Sequence, residues 1–398
     1  MLNFESAPFI VIWETTRACA LACVHCRAEA MPLRHPDELT TDEGKELIDR
    51  VAAFGGSRPP LFVLTGGDPM RRRDLPELVR HGVARGLSVG LTPSGTAAVT
   101  RERLEAVRDA GLARLAVSLD GSTPEAHDAF RGVRGSHGYT MRILDDARAL
   151  GLPLQINTTV CRDTAADLPR IAETVERAGA VLWALFFLIP VGRARAEQGL
   201  TAREIESVLE WAADLQGSVP FGIKTTEAPH YHRVLAQHGL SGPAAGRAGR
   251  AVTDGNGFVF VDHVGTICPS GFMPLAAGNV RTDDLVDVYR NHALFRSLRD
   301  PDRLGGKCGT CEFRARCGGS RARAYAETGD PLAADPGCSY GARRRQVATA
   351  PAAVRTAEPR RIAPPVVAAA ALPASVPIAS SSTPAANAAA SAIPSVRG

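Results

Sequence analysis

The sequence predicts an α/β fold: a full or partial barrel of βα units, then a small cysteine-organised module and a disordered tail. Three observations carry this expectation. Short apolar runs alternate with amphipathic helical stretches about six to seven times up to residue 225, the signature of a parallel sheet. The alternation stops near residue 226, where a hairpin-like stretch and glycine-rich turns take over. Beyond Arg345 the chain is built from Ala, Pro, Ser and Val, with Tyr340 its last aromatic residue and Glu358 its last acidic one.

Taken in order, FIVIWET (9–15) reads as the first strand and ELTTDEGKELIDRVAAF (38–54) as a helix with a threonine cap. LFVLT (61–65), LPELVRHGVARG (75–86) and LSVGLT (87–92) repeat the unit, and RERLEAVRDAG precedes RLAVSLD (114–120). A longer helical insert leads to LPLQINTTV (152–160). DLPRIAETVERAG then leads to VLWALFFLIP (181–190), and TAREIESVLEWAADL to FGIKT (221–225). GFVFVDHVGTIC (257–268) reads as a hairpin. The expected divisions are a core barrel at 1–225, a metal-organised module at 226–345 and a disordered tail at 346–398. Residues 362–379 carry no charge, but Pro364, Pro365, Pro373 and Pro377 argue against a membrane span. So small-residued a tail buries too little apolar surface to offset its ordering entropy.

The 398 residues carry 46 basic and 42 acidic side chains, a net charge of +4 that implies neither a nucleic-acid partner nor a membrane surface. Nine cysteines are the informative count. The start, MLNFESAPFIVIWETTRAC, lacks the basic head and long apolar core of a secretory signal. A chain of 42.0 kDa buries a core without disulfide staples. The cysteines therefore read as metal ligands or redox thiols in a cytoplasmic protein.

Seven of the nine fall in two groups. Cys19-x3-Cys23-x2-Cys26 follows the first strand directly. Three thiolates on one loop suit three irons of a [4Fe–4S] cluster and leave the fourth iron open. The alternative is a zinc loop completed by His25, although structural zinc loops usually pair their cysteines. Cys308-x2-Cys311-x5-Cys317 with Cys338 supplies four thiolates, and spacing alone leaves zinc and iron–sulfur equally open. Cys161 reads as a core residue, and Cys268 as a buried thiol or a substrate-side ligand.

The C-x3-C-x2-C loop in WETTRACALACVHCRAEA resembles the radical S-adenosylmethionine (radical SAM) superfamily, over about residues 8–342. The resemblance implies a partial (β/α)6-type barrel and a [4Fe–4S] cluster on Cys19, Cys23 and Cys26. The open iron would chelate S-adenosylmethionine, whose cleavage yields a hydrogen-abstracting 5′-deoxyadenosyl radical. Thr65-Gly66-Gly67-Asp68-Pro69 is similar to the family's GGEP motif, which places Gly66, Gly67, Asp68 and Pro69 beside the methionine amino group. Ser94 stands where relatives often carry TNG. The resemblance gives Ser118, Asp120 and Asn157 to the ribose side, and Val191 to the adenine. GTICPSGFMPLAAGNV and CGTCEFRARCGGSRARAY look like the SPASM or twitch extension. Its full form has two auxiliary clusters on seven cysteines. With Ser320 or Arg321 where a cysteine would follow CGG, a single auxiliary [4Fe–4S] cluster on Cys308, Cys311, Cys317 and Cys338 is implied.

AHDAFRGVRG, QINTTV, TTEAPHYHRV and CGGSRARAYAETGD look most like the heme-biosynthesis branch. That implies decarboxylation or rearrangement of tetrapyrrole propionates, with an electron donor such as ferredoxin or flavodoxin. Arg321 and Arg323 would then pair with propionates, and His230 and His232 with the porphyrin or its iron. The plain readings are arginines on a solvated turn and histidines capping a helix. Tyr231 and Tyr325 are the candidate proton or hydrogen donors. Two other functions stay open. One is a maturase of ribosomally made peptides, although only about eighteen residues precede Cys19. The other is a non-catalytic iron–sulfur or zinc module.

Overall fold

The computed structural model describes residues 4–56, 59–240 and 251–341, so the expected tail lies outside the described residues. Seven strands run parallel, each beside the next in sequence: β1 (Ile10–Glu14), β2 (Leu61–Thr65), β3 (Ser88–Leu91), β4 (Arg114–Ser118), β5 (Leu154–Val160), β6 (Leu182–Phe187) and β7 (Gly222–Thr226). The crossovers are α1 (Thr41–Ala52), α2 (Leu75–Ala84), α3 (Arg101–Asp109), the pair α4 (Pro124–Arg131) and α5 (Ser136–Ala149), α6 (Leu168–Arg177) and α7 (Ala202–Gln216). The insert expected before the fifth strand is thus two helices.

Period-two alternation decides which side of the sheet each residue faces. Val11, Trp13, Phe62, Leu64, Leu115, Val117, Ile156, Trp183 and Ile223 join one core with the apolar faces of the helices. The intervening residues, among them Glu14, Thr65, Arg114, Ser118, Asn157 and Lys224, face the concave side. Thr40 caps α1 in a reciprocal pair with Glu43, and Thr201 caps α7 with Glu204. Each such cap satisfies amides the first helical turn leaves unpaired, for about 1 kcal/mol.

The C-terminal module is joined to the sheet. β8 (Phe258–Val261) pairs parallel with β1 from Ile10 to Trp13, then turns antiparallel into β9 (Thr266–Cys268), with β10 (Gly278–Asn279) beyond. The sheet order is therefore β10-β9-β8-β1-β2-β3-β4-β5-β6-β7. The expected hairpin is present, and its added job is to cover the open edge of β1 and seal the core with Val259 and Val261. Helices α8 (Tyr231–Gln237), α9 (Leu285–Asn291), α10 (Ala293–Arg299), α11 (Gly306–Thr310) and α12 (Arg321–Thr328) complete the described chain. No described helix is long and apolar enough to cross a membrane.

Two cysteine groups as the candidate functional site

The first group sits on the loop leaving β1, at the C-terminal rim of the barrel. The Thr15 amide and hydroxyl both reach the Thr65 carbonyl, at 2.7 and 3.0 Å. Thr16 Oγ1 donates to Glu38 at 2.6 Å, and the Arg17 amide to the same carboxylate at 3.1 Å. Gly66-Gly67 then lies directly against this loop. The Gly67 amide donates to Thr16 at 2.7 Å and the Asp68 amide to Ala18 at 2.8 Å. A Cβ on Gly66 would stand 2.4 Å from the Thr16 carbonyl oxygen, and one on Gly67 2.6 Å from those of Arg17 and Ala18. Backbone cannot yield at such distances. The glycines expected beside a ligand are thus required by the cysteine loop itself.

Asp68 is fully buried. Its carboxylate accepts from the Met70 amide at 3.2 Å, the Ser94 amide at 3.4 Å and the Thr96 hydroxyl at 2.8 Å. Burial pushes its pKa up. Its side chain knits three loops together, and Pro69 starts the short turn it caps. Ser94 donates to the Gly67 carbonyl at 2.5 Å and stands 3.4 Å from Cys19 Sγ. The Leu21 amide points at the same sulfur from 3.4 Å.

On the far side, the segment after β6 closes on the loop. The Val191 amide donates to Ile189 at 2.8 Å, turning the chain so that the Arg193 amide meets the Cys26 carbonyl at 3.0 Å. Arg193 Nε donates to the Cys23 carbonyl at 2.9 Å. Gly192, at φ +61°, would place a Cβ 2.5 Å from the Cys26 carbonyl oxygen.

One site residue was missed in the sequence. Arg131, the last residue of α4, donates to Cys23 Sγ at 3.7 Å and is ion-paired to Asp120. Among the described residues its Nε is buried without a hydrogen-bond partner. Burial alone would raise the Asp120 carboxyl, but Arg131, with His25 and His127 nearby, holds it below the usual carboxylate range. Asp120 also accepts from the Thr159 amide at 2.6 Å. Arginine in a helix has no local signature; only the fold brings residue 131 to residues 23 and 120. His25 stacks on Phe130 at 4.3 Å, and burial with Arg131 pushes its imidazole down to about 3. Ser118 and Asn157 are register partners on the concave face, and Asn157 accepts from Gln155 at 2.7 Å.

The second group is gathered in the module. Cys308, Cys311, Cys317 and Cys338 all line one small cavity of about 20 Å³. Backbone amides aim at three of the sulfurs from 3.4 Å each: Asp335 at Cys308, Phe313 at Cys311 and Gly319 at Cys317. His230 lies beside Cys338 and 3.0 Å from Asp335. Burial alone would raise the Cys338 thiol, but His230 holds it below the usual thiol range. Among the described residues, no group of three His, Cys, Asp or Glu side chains is arranged to hold a single metal ion.

Several expected partners are corrected here. Arg321 and Arg323 are buried, not solvated, and their donors are spent on protein acceptors. Arg321 bonds the carbonyls of Gly319, Pro331 and Ala333 at 3.2, 3.0 and 2.7 Å. Arg323 pairs with Asp335 at 3.3 Å and with the Glu227 carbonyl at 2.8 Å. Neither is free to receive a propionate. His230 faces Asp335 and the second cysteine group, while His232 is half-buried on α8. Tyr231 is buried with its hydroxyl on Ala212 at 3.2 Å, which removes it as a proton donor, and Tyr325 packs into a small apolar cluster. Cys161 is a core residue beside Phe130 and Leu188, and Cys268 is a buried thiol on β9.

The family model of the radical SAM superfamily matches residues 13–175. An AdoMet-dependent heme synthase of Methanosarcina barkeri is 39% identical over 353 residues, 85% of this chain and 99% of that protein. The mycofactocin maturase MftC of Mycobacterium tuberculosis is 33% identical over 350 residues, 84% of each. Among solved structures, Streptococcus suis SuiB bound to S-adenosylmethionine superposes with a TM-score of 0.68 at 14% identity, over 84% of this chain and 78% of that one. This last likeness concerns the fold alone.

Proposed function

Because the chain belongs to the radical SAM superfamily, we propose that it is an enzyme of heme biosynthesis that decarboxylates or rearranges propionate side chains of a tetrapyrrole. The observation that carries this reading is the 39% identity to a heme synthase across 99% of that protein. The family implies a [4Fe–4S] cluster and S-adenosylmethionine, which together supply a 5′-deoxyadenosyl radical for hydrogen abstraction when bound.

The residues present fit these groups. Cys19, Cys23 and Cys26 would hold three irons, and the Arg131 Nε is a buried donor with nothing yet to bind. A carboxylate oxygen such as that of S-adenosylmethionine suits it, because a charge-assisted N–H donor favours an anionic acceptor. Gly66 and Gly67 bring the next loop against the cysteines, and Asp68, Pro69 and Ser94 hold that loop in place. Ser118 and Asn157 would bond hydroxyls from the concave face, with Asp120 orienting Arg131. Val191 would pack on an adenine above them. Supporting an auxiliary cluster on Cys308, Cys311, Cys317 and Cys338 are the shared cavity and the amides aimed at its sulfurs, since N–H donors stabilise thiolate over thiol.

In oxidative decarboxylation, a –CH2–CH2–COO⁻ group loses a hydrogen atom, an electron and carbon dioxide to become –CH=CH2. The hydrogen goes to the adenosyl carbon and the electron to an acceptor, for which the second cysteine group is the assigned place. An external one-electron donor is also required.

The test is anoxic incubation of reconstituted enzyme with S-adenosylmethionine, reductant and iron-coproporphyrin III. Mass spectrometry should show loss of carbon dioxide with two hydrogens per reacting propionate. Wild type should hold about eight irons and a Cys19/Cys23/Cys26→Ala variant about four. An unchanged porphyrin would overturn the tetrapyrrole reading. A peptide substrate is the second reading, favoured by the MftC likeness, and cross-linking of a co-encoded precursor peptide would establish it.

A further inference from the structure

Pro32, Leu33 and Arg34 stand exposed on the segment that leaves the first cysteine group. Leu33 is 75% exposed, more than any other large hydrophobic side chain among the described residues. A single exposed leucine is ordinary on a protein surface, so its setting decides what it means. The Cys19 amide donates to the Met31 carbonyl at 2.8 Å, and the Met31 amide to the Arg17 carbonyl at 2.9 Å. Leu33 follows Met31 by two residues and so lies within about 8 Å of it. It marks the outer skin of the loop that carries Cys19.

Cations adjoin that skin. Arg71 Nη2 donates to the Pro32 carbonyl at 3.0 Å, which fixes the turn after β2 against the same segment. There Met70, Arg71, Arg73, Ala98 and Arg103 line an open cleft of about 420 Å³, whose charged side chains are all arginines. Arg103 is spent on the carbonyls of Ala98 and Arg72, at 3.3 and 3.2 Å. Arg34, beside Leu33, is paired with Glu38 at 2.7 Å. Arg71 and Arg73 are exposed and form no ion pair among the described residues, so theirs is the charge on offer. Guanidinium groups steer an acidic partner into place, and an apolar contact holds it briefly. Electron-transfer encounters are of this small kind, burying less than about 1,200 Å².

The reaction described above requires an external one-electron donor. We propose that Leu33, Arg71 and Arg73 form the docking face for an acidic electron-carrier protein, which delivers its electron to the iron held by Cys19, Cys23 and Cys26. The carrier is oxidised by one electron, the iron centre is reduced by one, and no proton or group moves. This rests on the first cysteine group holding its cluster and is independent of which substrate is modified.

Flavodoxin, a small acidic carrier, is the probe. Anoxic, reconstituted wild type, R71E/R73E, L33S and R148E/R203E are titrated with it by calorimetry at low and high salt. Arg148 and Arg203, exposed on α5 and α7, serve as the control for charge reversal elsewhere. R71E/R73E should bind about tenfold more weakly at low salt, with the difference narrowing at high salt. L33S should lose less, and R148E/R203E nothing. Formation of 5′-deoxyadenosine driven by reduced flavodoxin should fall in step, while formation driven by dithionite stays at the wild-type level. Equal affinity of wild type and R71E/R73E overturns the proposal, as does an equal loss in R148E/R203E. A wild-type dimer that L33S dissociates gives the face to a second copy and overturns it too. So does a wild type that binds neither flavodoxin nor an acidic ferredoxin. If wild type makes no 5′-deoxyadenosine even with dithionite, the reading of the first cysteine group falls instead, and the affinities alone decide the docking face.

Discussion

At the scale of single residues, buried arginines do most of the joining in this molecule. Arg72 is 1% exposed and reaches the carbonyls of Leu39 and Thr15 at 2.8 and 3.3 Å, while its other nitrogens grip Asp74 at 3.0 and 2.5 Å. Burial alone would raise the Asp74 carboxyl, but the hydrogen bonds from Arg72 and Thr41 hold it below its ordinary value. A carboxylate with a depressed pKa contributes stability above its unfolded value, near 4, and loses it as pH falls through the folded value. Wild type should therefore lose urea resistance between pH 5 and 3 more steeply than D74N. At pH 7, D74N should be weaker by about 2 kcal/mol, less than for a fully buried pair because Asp74 is partly exposed. Arg321 gives a second expectation. R321A would strand three carbonyls in the interior and cost about 3 kcal/mol. Under the proposed function, reconstituted R321A should then hold about four irons fewer per chain than wild type, and equal iron contents would refute that. The gathering of the second group's thiols was readable because their close spacing in the sequence already sets them apart. The fate of Arg321 and Arg323 was not, because whether a guanidinium looks outward or inward is decided by the turn at Pro331–Asp335 that closes over them.

At the scale of elements, the barrel strands declared themselves as short apolar runs and the barrel helices as amphipathic stretches, whereas β10 and α9 to α12 had no reading in the sequence. The observed bounds of the barrel elements differ from the expected ones by at most three residues at either end. What four residues such as FVFV cannot announce is their partner. β8 was legible as a strand, but its place beside β1 follows from the edge that β1 leaves open, a property of the assembled sheet. Loop contacts were equally hidden. The Gly-Gly turn after β2 suggested close approach to a ligand, whereas the closest approach is to Thr16–Ala18. G67A should force that backbone apart, so reconstituted protein should show reduced absorbance near 410 nm and about half the wild-type iron, with the module's thiols still loaded. Full iron content would show that the loop tolerates the displacement.

For the whole molecule, the module is clasped at two places, at the end of β7 and ahead of β8, and it reaches the barrel elsewhere too, as Arg281 does to Glu43 at 2.6 Å and Tyr289 to the Phe4 carbonyl at 2.6 Å. Ser320 and Arg323 hold Glu227 at the end of β7, at 2.5 and 2.8 Å. The Ala322 amide holds Asp254, just ahead of β8, at 2.8 Å, and the Ala251 amide reaches Arg316 at 2.7 Å. A chain ending at Thr226 would lose the β8 cover of β1 and both grips, exposing an apolar edge. It should accumulate as aggregate rather than as an isolated barrel, and a monodisperse soluble fragment would refute that.

The double grip has a kinetic corollary. Cys19, Cys23 and Cys26 follow β1, and the module that carries Cys308, Cys311, Cys317 and Cys338 joins the same sheet through β8, clasped beyond β7 and ahead of β8. Electron tunnelling from one to the other would then proceed across a constant gap, at a rate insensitive to solvent viscosity.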